Sequence, residues 1–338
     1  MEKKTVIPWY LDMDAHKNIL TLGQANEKIT EHILYEREEL TKFPEGKYNL
    51  AFYVVISSDA EAIQNPFAKV NSIMWEKWGA PLYAKGEPFP ENNLDNYVDY
   101  TYRWAFNHWR NSVWQEFDIS GKRVGAPTFI VNVTQSPNYP GEIDEREFRS
   151  VWNQAWFNSL RSASGLYRYS KRMGIDSLLR YANLTKELAL SFPQKNGYFP
   201  GLIATEMREI VKDSKKYRRS MGWQTQYFGN SNRNPFTWDP KESPYHVLDM
   251  SYTASLMLDW YVELDKDRRL LDYAKRYADA LVAIQRPDGY FPAWLDLVSQ
   301  EDLQILSKSP ESAMSVTFLL KLYQITKQQK FKVSALRA

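Results

Sequence analysis

Gly197-Tyr198-Phe199-Pro200 recurs as Gly289-Tyr290-Phe291-Pro292, 92 residues further on, and the same interval carries matches upstream of both. Leu178-Leu179 falls on Leu270-Leu271, Tyr181-Ala182 on Tyr273-Ala274, Leu166 on Leu258 and Tyr169 on Tyr261, with no gap. The matched positions are apolar residues at helical spacing plus one turn motif, the signature of a repeated helical hairpin closed by a fixed turn. Helices are predicted near 145–173, 176–192, 245–265, 267–286 and 310–326, with Gly174-Ile175-Asp176 and Leu264-Asp265-Lys266-Asp267 as stop-and-restart signals. Aligning Tyr261 with Tyr323 suggests a third copy that stops early, and Phe331 to Ala338 reads as a helix beginning.

Upstream of the repeat the pattern is mixed. Leu50 to Ile56 and Pro127 to Val133 are strand-like runs that could pair, the first preceded by the turn signal Pro44-Glu45-Gly46. Ala60 to Trp78 reads as helix interrupted at Pro66, residues 79–90 as a Pro- and Gly-rich loop, and about Leu94 to Phe117 as a long helix capped by Asn93 or Asp95. The expected organisation is mainly α: residues 1–140 as a mixed segment with strands and one long helix, and 141–338 as the helical-hairpin domain.

Lys and Arg number 43 against 41 Asp and Glu, so no global charge draws the chain to nucleic acid or to an anionic membrane. Cysteine is absent, which removes disulfides, thiolate metal sites and a cysteine nucleophile. The four histidines, His16, His32, His108 and His246, form no zinc-binding spacing, so neither a metal nor another cofactor is expected. No stretch reaches the roughly 18 apolar residues that span a bilayer, and a soluble chain is expected. The first residues lack the apolar core of a signal peptide; a signal removed beforehand would leave a periplasmic or secreted location open, and the oligomeric state is not legible. The composition does stand out in 12 Trp, 22 Tyr and 16 Phe. Rings with polar edges pack on the C–H faces of sugars while neighbouring groups bond the hydroxyls, which points to a carbohydrate partner.

Leu271-Asp272-Tyr273-Ala274 followed by Gln285-Arg286-Pro287-Asp288-Gly289-Tyr290-Phe291-Pro292 resembles the outer helix and turn of the six-hairpin (α/α) toroid superfamily of glycoside hydrolases, polysaccharide lyases and sugar epimerases. The resemblance covers roughly residues 145–330 and implies an (α/α) toroid, here with a small β-containing N-terminal segment and an incomplete or N-terminally closed ring. It also implies a substrate cleft at the ring's mouth, lined by the starts of the inner helices and the loops before them. The motif is specific to the scaffold rather than to one reaction.

Residues that recur are scaffold, so chemistry is sought at positions that do not. Asp288 aligns with Asn196 and reads as a turn residue. Trp294 and Asp296 align with Leu202 and Ala204, so the second copy gains a ring and a carboxylate. Before the second inner helix lies a polar loop with Trp238 and Asp239, then His246, Asp249 and Tyr252 three apart on one helical face. Their partners at the 92-residue offset are Gln154, Phe157 and Leu160. A carboxylate at a helix start is favoured in its ionised form, which suits a base or nucleophile; the plain alternative is a dipole partner in the first turn. In the first copy Trp152 and Trp156, four apart, would form a double-ring platform with Arg161 a turn beyond, or else pack against the neighbouring helix. The helix from 94 to 117 carries Trp104 and His108 on one side and ends in Glu116 and Asp118, either of which could enter a cleft or stay solvated.

Three functions follow. The first is a glycoside hydrolase, with one carboxylate from Asp249, Asp239, Glu116 or Asp118 donating a proton, another activating water, and Trp152, Trp156, Trp238 and Trp294 holding sugar rings. The second is a polysaccharide lyase using Tyr252 or His246 as base on a uronic-acid glycan. The third is a glycan-binding toroid without catalysis.

Overall fold

The computed structural model describes residues 7, 9–14, 16–30, 34–48, 51–84, 94–127, 149–212 and 214–338. They fall in two compact units, 1–92 and 93–338. In the first, Trp9–Asp14 (β1) pairs antiparallel with Ile19–Gln24 (β2), and Glu27–Thr30 (β3) with Leu34–Arg37 (β4). Short helices follow: Ala60–Gln64 (α1), Pro66–Met74 (α2) and Ala80–Ala84 (α3), with a π-helical turn over Trp75–Gly79. Pro66 opens α2 rather than breaking a helix, because a first-turn N–H has no intrahelical partner to lose, and Asn65 caps the turn through Ala68 N. The strand-like run at 50–56 is corrected: residues 51–59 form no strand, and Phe52 to Ile56 are exposed. Its expected partner over Thr128–Val133 lies outside the described residues, as do 85–90 and Asn93; the loop expected over 79–90 is corrected at its start, where Ala80–Ala84 is helical.

The second unit opens with Asp95–Arg103 (α4), a π-helical turn Trp104–His108 and Arg110–Val113 (α5). The long helix predicted to Phe117 therefore ends four residues early. Trp114–Ile119 (β5) instead pairs with Lys122–Pro127 (β6) around the turn Ser120-Gly121, both at positive φ. Ser150–Trp152 (β7) is a strand where helix was expected; residues 145–148 lie outside the described ones. The helix begins only at Ser159, where the Asn158 side chain accepts from Leu160 N.

Three hairpins follow: Ser159–Met173 (α6) with Asp176–Ser191 (α7), Val247–Glu263 (α8) with Arg268–Ala283 (α9), and Ser312–Thr326 (α10) with Gln329–Arg337 (α11). Here sequence and structure agree closely, since α7 and α9 both start and end 92 residues apart. Helices α6, α8 and α10 pack side by side as an inner row, and α7, α9 and α11 as an outer row. Between the rows lies one apolar core, including Leu160, Leu166, Met257, Trp260, Tyr277 and Phe318. Tyr102 and Phe106 cover its near end, packing on Tyr169 and Tyr181.

The recurring turn explains how one hairpin attaches to the next. Gly197 and Gly289 lie at φ +92° and +96°, and each is pressed against the outer helix of the following hairpin. A Cβ on Gly197 would sit 2.6 Å from the Arg276 carbonyl oxygen, and one on Gly289 would collide with that of Arg337, 61 residues further along. Only glycine meets both the left-handed backbone and the close approach. Gln194 Nε2 donates to Gly197 O and Tyr273 O, while Gln285 Nε2 donates to Gly289 O and Ser334 O, the same clamp built twice. The fold is thus a two-layer (α/α) array of consecutive hairpins.

Small sheets sit at the inner-helix starts. Leu202–Thr205 (β8) lies between β7 and Gln226–Gly229 (β11), and Met207–Lys212 (β9) forms a hairpin with Lys215–Ser220 (β10). Tyr245–His246 (β12) pairs with Trp294–Leu295 (β13).

Candidate active site

The β12–β13 pair sets His246 opposite Trp294, ring centroids 3.9 Å apart. Immediately after β12 the chain turns into α8, which brings Asp249 under the imidazole. His246 Nδ1 lies 2.9 Å from Asp249 Oδ2, and Nε2 lies 3.2 Å from Glu311 Oε2 at the cap of α10. The other Asp249 oxygen accepts from Ala155 N at 2.9 Å, so the buried carboxylate ties the start of α8 to the segment after β7. Burial alone would lower the imidazole pKa, but the two facing carboxylates outweigh it and raise the value to about 9. His246 is therefore an imidazolium at neutral pH, both N–H groups donating to carboxylates.

Polar groups support this chain from below. Ser251 Oγ shares hydrogen bonds with Tyr277 Oη at 2.7 Å and Ser315 Oγ at 2.9 Å, and Tyr277 Oη donates to Val247 O. Complete burial drives the Tyr277 hydroxyl far above its usual range, so it stays a neutral donor. Asn158 Nδ2 donates to Thr253 Oγ1, which donates to Asn153 O. Against this satisfied background, three buried donors on the neighbouring segments have no partner among the described residues: Asn153 Nδ2, Gln154 Nε2 and Trp294 Nε1.

A second feature is a cleft of about 480 Å³ lined by Thr205, Met207, Arg218, Tyr227, Trp238 and Asp239, among others. Its loop wall is held by Asn234, whose Nδ2 donates to Ser231 O, Thr237 O and Ser243 Oγ while Oδ1 accepts from Phe236 N and Thr237 N. Asn230 ties the loop to Gly201 N and Ser243 O. Asp239 uses its carboxylate to accept from Lys241 N at 2.9 Å. Burial, with the nearby Glu206 and Asp239 carboxylates, pushes the Tyr227 hydroxyl up to about 12. The cleft and the His246 network lie at opposite ends of the β7–β8–β11 sheet: Thr205 and Tyr227 border the cleft, while Trp152 leads through Asn153 to Ala155.

Among the sequence candidates, His246, Asp249 and Trp294 come together, and Trp238 and Asp239 share the cleft. Glu116 does not join them. It takes two bonds from Arg180 at 2.9 and 2.7 Å, one from Trp114 Nε1, and faces Arg110 and Arg123, which lowers its pKa to about 2. A proton donor cannot be built from that carboxyl. Asp118 is exposed and paired with Arg123. The expected platform is also corrected: Trp152 is a strand residue, buried and bonded to Ser150 Oγ, while Trp156 stands 69% exposed in the following turn. The strand pairing sends their rings to different environments. Arg161 donates to Trp156 O rather than standing free for a ligand. Trp104 packs on Trp109 in the π turn, and His108 is exposed. Tyr252 is half-buried on α8 outside either network. Asp296 is committed to a turn, accepting from Val298 N and Ser299 N, which lowers its pKa.

Glu311 was missed from sequence, although the signal was present: aligning Tyr261 with Tyr323 sets Asp249 on Glu311. The 92-residue pairing of His246 with Gln154 also shifts. Trp152 faces Leu202 in β7–β8 as His246 faces Trp294 in β12–β13, so Trp152 is the counterpart of His246, two residues having been added in the first copy. Among the described residues no group of His, Asp and Glu could hold a metal ion, and no helix is long and apolar enough to cross a membrane.

No protein-family profile and no curated protein matches the chain. Among solved structures it is similar to a GH76 α-mannanase from Bacteroides thetaiotaomicron, at TM-score 0.41 and 15% identity over 72% of this chain and 53% of that one. It is also similar to a possible member of the GH105 family from Salmonella enterica serovar Paratyphi A, at TM-score 0.42 and 10% identity over 82% of this chain and 65% of that one. The chain thus spans less than two thirds of either structure. Neither likeness bears on individual site residues.

Proposed function

We propose that the chain is a carbohydrate-active enzyme, and specifically a glycoside hydrolase whose reacting groups lie at the starts of α8 and α10. The observation that carries this reading is the Asp249–His246–Glu311 chain beside three unpartnered buried donors, Asn153, Gln154 and Trp294. Sugar hydroxyls accept hydrogen bonds, and the indole donor on β13 with the two amide donors in the segment after β7 would orient them. In this reading Glu311, whose side chain is 29% exposed, is the carboxylate that water can reach and acts as general base. The His246 imidazolium keeps it in place, and buried Asp249 holds the imidazolium. The imidazole fills the space between Asp249 and Glu311, so these two cannot themselves flank a glycosidic bond. Glu116 and Asp118 are committed to arginines and Asp239 lies across the sheet in the cleft, so none of the three is the partner of Glu311.

The lyase reading loses support at His246, because an imidazolium bonded to two carboxylates has no free nitrogen to abstract a proton. The test is a panel of neutral and acidic oligosaccharides read by mass spectrometry. Products that together gain one water, lost in Glu311→Gln, support hydrolysis. Cleavage with no mass gain and a new ultraviolet-absorbing end would replace it with elimination, and binding without cleavage would leave a glycan-binding array.

A further inference from the structure

We propose that the cleft between the 230–242 loop and the β9–β10 hairpin is a subsite for a carboxylate-bearing sugar, with the Trp238 indole as its stacking face and the Arg218 guanidinium as partner of the carboxylate. This rests on the hydrolase reading and adds the substrate's chemical class to it. Trp238 is 78% exposed although its loop is held by the side-chain hydrogen bonds of Asn230 and Asn234. An indole held in solvent by a hydrogen-bonded loop leaves its face available to stack on the C–H face of a sugar. The floor beneath is firm: Trp152 packs with Leu202 and Ala204 under Met207 and Tyr227.

Charge decides the kind of sugar. Lys241 is paired with Glu206 and lies over the Tyr227 ring at 4.6 Å, and Lys216 is paired with Glu209 at 3.0 Å. Asp239 is occupied by Lys241 N. Arg218, whose cross-strand neighbour Glu209 is taken by Lys216, has no carboxylate partner among the described residues. A free guanidinium beside an exposed ring matches a planar carboxylate through two parallel hydrogen bonds. The buried Asn232 Oδ1 also lacks a partner there and would accept from a sugar hydroxyl.

The experiment uses an array of uronic-acid oligosaccharides, each with its carboxyl-reduced neutral counterpart and a sulfated neutral one. Binding is measured to the full chain carrying Glu311→Gln, so that turnover does not interfere, and hydrolysis to the unaltered chain. At least one uronate is expected to bind about 10- to 100-fold tighter than its reduced form, the range of a charge-assisted pair. Arg218→Gln should abolish that preference while leaving neutral binding in place, and Trp238→Ala should weaken both forms about equally. Both side chains are exposed, so loss of fold is not expected, and circular dichroism checks it. Reduced and acidic forms binding alike, preference for sulfate, or a preference that survives Arg218→Gln would overturn the subsite while the hydrolase reading stands if neutral sugars are cleaved. Absence of both binding and cleavage across the array would remove both.

Discussion

Because His246 is held as an imidazolium in the folded chain, stability should fall as pH rises through a definite window. Its pKa is about 9 when folded, against 6.5 for an ordinary imidazole. For a group whose folded pKa is raised, the stabilisation is fully present below the unfolded value, declines between about 6.5 and 9, and is absent above. The rise corresponds to about 3 kcal/mol, with a slope near 1.4 kcal/mol per pH unit inside the window. No large discount for solvent is due, since the His246 side chain is only 15% exposed. The assay compares thermal unfolding of the unaltered chain and His246→Gln from pH 6 to 9.5. At pH 6 the unaltered chain should be the more stable, and the gap should shrink by about 3 kcal/mol by pH 9.5, or roughly 6–12 °C in Tm for a unit of this size. Groups other than Asp249 and Glu311, which lose their cation in His246→Gln, titrate equally in both proteins and cancel. A gap constant over that range would show that His246 is not charged between the two carboxylates, and with it the assignment of Glu311 as an oriented base would fail.

Glu311→Gln should lower kcat by about 10²- to 10⁴-fold with intact folding, the usual worth of a general base, measured on whichever oligosaccharide is cleaved. Glu116→Gln should leave kcat unchanged while removing the acid-side stability that Glu116 contributes; that contribution is present above about pH 4.5 and is lost as pH falls toward about 2, so the gap between the two unfolding curves should be roughly half as large or less at pH 3 than at pH 6. Gly289→Ala should destabilise by about 2–5 kcal/mol, combining left-handed strain with collision against Arg337 O, whereas Gly121→Ala at φ +81° with open space around it should show the strain alone, about 1–2 kcal/mol; equal losses in denaturant titration would contradict the packed-turn explanation.

The scaffold was legible because its determinants are local and repeated. Apolar spacing gave both outer helices, and the Gly-Tyr-Phe-Pro turns gave their closures, since backbone handedness at Gly197 and Gly289 is written in the residue itself. What failed depended on strand pairing, on side-chain partners remote in sequence and on a local change of helical period. Trp114 to Ile119 has helical-looking rings and charges, yet its backbone pairs with β6, and Ser150 to Trp152 pairs with β8 fifty-odd residues later. Glu116 resembled a free acid because nothing nearby in sequence announced Arg180. The π turn at Trp104–His108 rotates a stripe that a strict helical period would have kept on one side.

The site shows how a repeat acquires chemistry. Buried Thr253, Met257 and Trp260 on α8 correspond to buried Ser315, Leu319 and Leu322 on α10, so the packing face is copied. One turn earlier the same register carries Asp249 and Glu311, while the first copy has Phe157. The carboxylates therefore belong to the second and third hairpins only, and His246 spans them because α8 and α10 are adjacent. The Gly289 turn joins those same two hairpins from the outer side. Loosening that outer contact should then shift Glu311 relative to His246, so Gly289→Ala is expected to lower kcat as well as stability, whereas Gly197→Ala, one hairpin removed, should cost stability with a smaller loss of kcat. Equal kcat losses from the two substitutions, measured well below the unfolding temperature, would mean that the register of the second and third hairpins does not set the geometry of the Glu311 carboxylate.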